Sequence, residues 1–186
     1  MKKSILLSIS AALLISVGGF AQNTSKLVST KSFVTFFSTT AAEDIKAGNT
    51  ASVSTIDKTT GEVIFSVPMQ GFEFEKSLMQ KHFNSENFLD TKSNPDAKLK
   101  ARITNLDKID LDTDGEYPAT VKGELTIKGK TNPITEAGKI KVAGGIVSVE
   151  STFNISLADY GITFVKGKPS KNIAKTVEIT VVAEYR

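Results

Sequence analysis

Few side chains in this 186-residue sequence could do chemistry: it holds one His, no Cys and no Trp. Without cysteine there is no thiolate nucleophile, no disulfide, and no sulfur ligand for zinc or an iron-sulfur cluster. The lone imidazole, His82, lies between Lys81 and Phe83. It could act as a general base if a serine or carboxylate stood beside it. No Gly-flanked serine of the nucleophile-elbow type and no paired carboxylates in a suitable context accompany it. A packed or rim histidine is the expectation, and no catalytic residue is assigned.

Two charged stretches invite a reading. Asp110-Leu111-Asp112-Thr113-Asp114-Gly115 opens like a calcium loop, with alternating carboxylates and a glycine for the sharp bend. The twelfth position of such a loop needs a bidentate Glu, but here it is Val121 in a strand-like run. An acidic hairpin turn is the better reading, and neither a metal nor another cofactor is expected. Lys98, Lys100 and Arg102 form one face of an alternating run. That face could meet the phosphates of a lipid or a nucleic acid, and a solvated outer face explains it with less.

The segment from Phe65 to Phe88 has a different character. It holds Phe65, Phe72, Phe74, Phe83 and Phe88 together with Met69, Met79 and the only His. Phe74, Leu78, Met79, His82 and Phe83 fall on one arc of a short helix over residues 75–83, with Asn84 as its stop. Such a helix could plug a barrel with its apolar face. Its Phe and flexible Met could equally line the mouth of a cavity for an irregular apolar ligand.

The elements that must position these groups are strands. Ala97, Leu99, Ala101 and Ile103 alternate with Lys98, Lys100, Arg102 and Thr104. Tyr117 to Lys128, Val147 to Leu157 and Val177 to Tyr185 alternate in the same way. Earlier candidates run from Phe33 to Ser38, Thr50 to Ile56 and Glu62 to Met69, with a weaker one from Ile134 to Val142. Turn residues separate these runs at Thr60-Gly61, Asp112 to Gly115, Gly129-Lys130 and Gly144-Gly145. Short turns make sequential strands antiparallel, and no strand-helix-strand repeat suggests a nucleotide-binding sheet. The pattern predicts an all-β protein: a closed antiparallel up-and-down β-barrel of about eight strands, with an open sandwich as the alternative.

Lys2 and Lys3 precede an apolar run from Ile5 to Val17, and Gly19-Phe20-Ala21 offers small residues around a cut after Ala21. Residues 1–21 therefore read as a cleaved signal peptide, leaving residues 22–186 as one domain in the periplasm. The chain's net charge of +3 falls to +1 without those two lysines. That removes the electrostatic case for a nucleic-acid partner. No later apolar stretch reaches membrane-spanning length, and no Cys is present to carry a lipid anchor.

Several motifs resemble the YceI-like family. One is Phe65-Ser66-Val67-Pro68-Met69, followed by Phe72 to Asn84 and Phe88-Leu89-Asp90. Another is Gly123-Glu124-Leu125-Thr126-Ile127-Lys128-Gly129-Lys130-Thr131-Asn132-Pro133-Ile134, and the likeness continues through Phe153 to Ile162. The resemblance implies a secreted, lipocalin-like barrel that holds a polyisoprenoid, quinone or other long-chain lipid inside, without catalysis. The expected lining comprises Phe36, Phe65, Val67, Phe72, Phe74, Leu78, Met79, His82, Phe83, Leu125, Ile127 and Phe153. A second expectation is an envelope stress or interaction protein whose barrel is filled with side chains and binds no lipid. A hydrolase using His82 is the third. The sequence leaves the oligomeric state open.

Overall fold

In the computed structural model, residues 25–41, 43–162 and 174–186 are described; the leader assigned to residues 1–21 lies outside them. The strands in chain order are β1 (Lys26–Thr39), β2 (Asp44–Asn49), β3 (Val53–Asp57), β4 (Glu62–Pro68) and β5 (Phe72–Phe74). After helix α1 (Ser77–Asn84) come β6 (Asp96–Ile103), β7 (Gly115–Ile127), β8 (Lys130–Ala143), β9 (Ile146–Ser156) and β10 (Thr176–Tyr185). Eight of them close an antiparallel ring in the order β1-β3-β4-β6-β7-β8-β9-β10, with β10 returning to β1. β2 and β5 extend the wall beside the second half of β1.

Period-two alternation builds the wall. Along β6, β7, β9 and β10 the odd-numbered residues point inward, and along β8 the even-numbered ones do. Tight two-residue turns set the long hairpins. Lys128 and Gly129 carry φ of 50° and 71° between the pair Ile127 and Lys130, and Gly144 and Gly145 carry 57° and 76° between Ala143 and Ile146. Two consecutive left-handed residues make a turn whose twist matches that of the strands. The first turn lies one residue earlier than the Gly129-Lys130 expected from sequence, because Lys130 is already paired.

β1, β2 and β3 depart from simple alternation. Leu27 packs inward near the start of β1, whereas Ser32, Val34 and Ser38 are buried further along. The change of phase accompanies an irregularity against β10 between Ser29 and Lys31. The opposite side compensates: Ala47 and Asn49 are buried in β2, then Ser52, Ser54 and Ile56 across into β3. Both partners switch parity at the same level, so the pairing stays in register on either side of the break. Side chains satisfy the backbone where the ladder lapses. Ser29 Oγ accepts from Ser54 N at 2.9 Å, Asn49 Oδ1 accepts from Ala51 N at 2.8 Å, and Asn49 Nδ2 donates to the Pro68 carbonyl at 2.7 Å.

Helix α1 begins at Ser77, later than expected, because Phe72–Phe74 pairs with Ala47–Asn49 as a strand. β4 and β6 stop pairing at Pro68 and Asp96, while β5 joins β2. This leaves one end of the barrel to be covered by α1 and the segment after it. The Met69 amide donates to the Pro95 carbonyl at 2.7 Å, and Lys128 Nζ donates to the Phe88 carbonyl. Among the described residues no helix is long and apolar enough to cross a membrane.

Candidate functional site

Inside the barrel is a cavity of about 940 Å³, lined almost entirely by carbon. Two apolar clusters surround it, and most of their buried residues also line it. Near α1 the cluster includes Met69, Phe72, Phe83, Leu89, Ile127, Ile155 and Val177, and at the opposite end it includes Ile56, Val63, Ile103, Ile140, Val147 and Tyr185. Val181 packs against both. The barrel is therefore hollow, with residues of both clusters in its wall.

Five phenylalanines line the end beneath α1. The Phe83 ring lies 5.6 Å from Phe36 in a stacked arrangement, with Phe74 at 5.0 Å, Phe72 at 5.5 Å and Phe88 at 6.3 Å. Large rings on β1, β5, α1 and the following segment thus fasten the helix to the wall through dispersion and edge-to-face contacts. Phe36 lies 5.4 Å from Phe72 and 5.6 Å from Phe74, so one strand residue organises the group. The rim is polar: His82, Lys128, Glu43, Glu86 and Asn87 border the cavity. Lys76 Nζ, 2.8 Å from Glu43 Oε1, ties the start of α1 to the β1–β2 connection.

At the far end Tyr185 is wholly buried, and its hydroxyl accepts a hydrogen bond from Ser54 Oγ at 2.8 Å. Burial pushes the phenol pKa up to about 12, against a smaller opposing effect of that hydrogen bond. The buried Ser32 and Ser52 hydroxyls, from β1 and the β2–β3 connection, meet at 2.7 Å. Among the described residues no buried side-chain polar atom lacks a partner.

Eleven of the residues expected to line a cavity do so: Phe36, Phe65, Val67, Phe72, Phe74, Met79, His82, Phe83, Leu125, Ile127 and Phe153. Leu78 does not. It is 61% exposed on the outer side of α1. Its neighbour Met79 takes the inward position, because one residue along a helix turns the side chain by about 100°. The helical arc is narrower than the sequence suggests, since Phe74 reaches the cavity from a strand.

Sequence reasoning missed much of the remaining wall: Val34, Leu99, Val121, Ile134, Glu136, Val149, Ile179 and Val181 also line the cavity. Their signal is the inward phase of strands already visible as alternating runs. Glu136 shares that phase with Ile134 and Ile140. Desolvation pushes its carboxyl above the ordinary range.

The other charged motifs lie on the outside. The Asp110 carboxylate accepts from Thr113 Oγ1 at 2.7 Å and from Asp112 N at 2.9 Å, and these bonds, the Thr113 one foremost, lower its pKa. Asp112 pairs with Lys58 at 2.7 Å, and Asp114 accepts from the Gly144 amide at 3.0 Å. Asp110 thus closes its own turn, while Asp112 and Asp114 tie that turn to its neighbours. Lys100 and Arg102 face outward on β6, where Arg102 donates to the Thr60 carbonyl. His82 is exposed at the mouth, and its main-chain carbonyl accepts from Ser85 Oγ at 2.7 Å.

Comparison with known proteins places this architecture. Over 107 residues the chain is 31% identical to UPF0312 proteins of Pseudomonas putida, an overlap of 54% of this chain and 50% of theirs. The chain thus spans about half the length of the curated relatives it matches. Among solved structures it is similar to a polyisoprenoid binding domain from Saccharophagus degradans implicated in plant cell wall breakdown. There the TM-score is 0.73 at 15% identity, covering 87% of this chain and 98% of that one. BcnA of Burkholderia cenocepacia matches with a TM-score of 0.67 at 16% identity, over 82% and 95% of the two chains. These likenesses carry the fold. The family model of the YceI-like domain matches residues 22–185, nearly the whole sequence, and the chain belongs to that family.

Proposed function

We propose that this protein is a periplasmic, non-enzymatic carrier that holds one long-chain amphiphilic lipid, such as a polyisoprenoid or a quinone, inside its barrel. The observation that carries this reading is the 940 Å³ apolar cavity inside the barrel. A barrel of eight strands can fill its own interior with side chains or leave room for one slender ligand. This one leaves room. Each buried methylene contributes about 0.8 kcal/mol, so ten carbons give roughly 8 kcal/mol before association costs are subtracted. The polar rim around His82, Lys128 and Glu43 suits a headgroup that stays in water.

The solved neighbour described as polyisoprenoid-binding supports the choice of ligand class, and the leader at residues 1–21 supports the periplasm. The hollow interior weighs against a filled barrel that serves only as an interaction surface. The test is extraction of the protein purified from its own cell envelope, followed by mass spectrometry. A co-purifying isoprenoid or quinone at near-stoichiometric amount, on a chain beginning at Gln22, is the expected result. No bound lipid together with no uptake of isoprenoid probes would overturn the reading.

A further inference from the structure

On β8 the inward phase reads Asn132, Ile134, Glu136, Gly138, Ile140 and Val142. Among the described residues, no other strand carries an acidic, basic or imidazole side chain in its inward phase. Glu136 lines the tunnel between the two apolar clusters, level with Val121 on β7. Its carboxyl has no hydrogen-bond or ion-pair partner among the described residues, and desolvation is the sole influence on its titration.

Polar side chains on the same walls are engaged elsewhere, and Tyr160, whose phenol feels the Glu136 charge, is hydrogen-bonded with Asn132. Ser151 Oγ donates to the Ala137 carbonyl at 2.7 Å, and Asn132 Nδ2 donates to the Asp159 carbonyl at 2.9 Å. The next inward position on β8 is Gly138, which offers no side chain to cover it. A carboxylate partly withdrawn from water into an apolar wall, without a protein partner, costs the fold some stability, and a leucine there would add apolar contact instead. An acceptor on that wall with no protein partner is free to meet a donor brought in by a ligand.

We infer that Glu136 accepts a hydrogen bond from the ligand, so that the cavity selects an otherwise apolar molecule bearing a hydroxyl or protonated amine within the barrel. This rests on the carrier reading and narrows it. A plain hydrocarbon would leave the carboxyl unpaired, whereas a donor on the ligand would complete it. A charged hydrogen bond of this kind changes affinity by about tenfold or more.

The test uses delipidated protein loaded with diphenylhexatriene, a fluorescent hydrocarbon, and displacement by dodecane, dodecanol and dodecylamine. Wild-type protein should release the probe to dodecylamine or dodecanol at concentrations about tenfold lower than to dodecane. In Glu136→Leu that preference should vanish while the thermal midpoint rises, because an unpaired carboxyl has been replaced by carbon. Glu136→Gln, whose amide oxygen still accepts but carries no charge, should keep the preference for dodecanol and respond less to dodecylamine than wild type does. Equal displacement by all three ligands in wild-type protein, an unchanged preference in Glu136→Leu, or a lowered midpoint in that variant would each overturn the inference. If diphenylhexatriene does not enter the wild-type barrel at all, the carrier reading falls with it.

Discussion

Enlarging one side chain in the tunnel separates a hollow barrel from a filled one by the sign of the effect. Val181 is the position of choice, since it packs against both apolar clusters, pairs with Val34 and Ser151, and lines the cavity. In a close-packed core, Val181→Phe would force neighbours off their rotamers and cost about 1–3 kcal/mol. In a 940 Å³ cavity the ring has room, and the strand tolerates an aromatic residue well. Its extra apolar surface, roughly 50 Å² at about 25 cal/mol/Å², contributes about 1 kcal/mol of stabilisation. The assay is urea unfolding of delipidated protein. With a slope of about 2 kcal/mol/M, the midpoint should rise by about 0.5 M and the slope should stay constant. The same ring obstructs the middle of the tunnel, so uptake of a hydrocarbon probe should fall at least about tenfold. A midpoint lowered by about 0.5 M or more would mean that the walls already touch. The hollow-barrel reasoning would then be wrong, whatever happened to uptake.

Gly123→Ala should be destabilising by about 2–4 kcal/mol in the same urea assay, because a Cβ there would lie 2.2 Å from the Lys100 carbonyl and 2.4 Å from Ala101 Cα. Gly144→Asn, in a turn with open space around it and φ of 57°, should be nearly neutral, which isolates close approach of strands as the cause. Tyr185 gives a pH dependence. Its folded pKa of about 12 exceeds the ordinary value of 10.0, so the stability it confers is complete below pH 10. That contribution declines as pH rises toward 12, by at most about 3 kcal/mol. Tyr185→Phe should remove that alkaline slope in melts recorded between those pH values; a slope that persists would assign it to other groups.

Strands whose inner phase runs unbroken were legible in the sequence. Leu125 and Ile127 on β7 and Phe153 on β9 reach the cavity as the alternation requires. The glycine of the G-x-L-T-I stretch marks where β6 and β7 approach too closely for a side chain. Where two conformational preferences compete, the sequence was ambiguous. Phe72–Phe74 has the composition of a helix lead-in, yet Asn49 and Ala47 offer it a strand partner, and tertiary pairing decides. Leu78 and Met79 are both apolar neighbours on a short helix, and only the direction of the barrel tells which one turns inward. The parity switch from Asn49 to Ser52 was hidden because buried serines and asparagine carry no hydropathy signal. Glu136 was invisible for the converse reason: a lone acid in a weak alternating run reads as an outer-face residue until the register is known.

A barrel can be left hollow only if its wall stands without its contents. Here the wall has two supports. The long hairpin of β7 and β8 pairs continuously from Gly115 with Val142 to Ile127 with Lys130, and the closure of β10 on β1 leaves the ring without an open edge. Apolar burial is concentrated at the two ends, in the phenylalanine cluster beneath α1 and around Tyr185 opposite it, so the middle need not be packed for the fold to hold. Stability and capacity thus fall unevenly along the wall: Phe83 and Tyr185 border the cavity but are packed within the buried clusters, whereas Val181 and Glu136 are only partly buried. Substitutions at Phe83 or Tyr185 should unfold the protein before they alter its preference for ligands, whereas changes at Val181 or Glu136 should alter ligand binding while leaving the fold as stable as before or more so. Had every lining side chain been packed as tightly as Phe83 and Tyr185, every mutation that emptied or filled the tunnel would also weaken the barrel, and ligand selection could not vary without risking the fold.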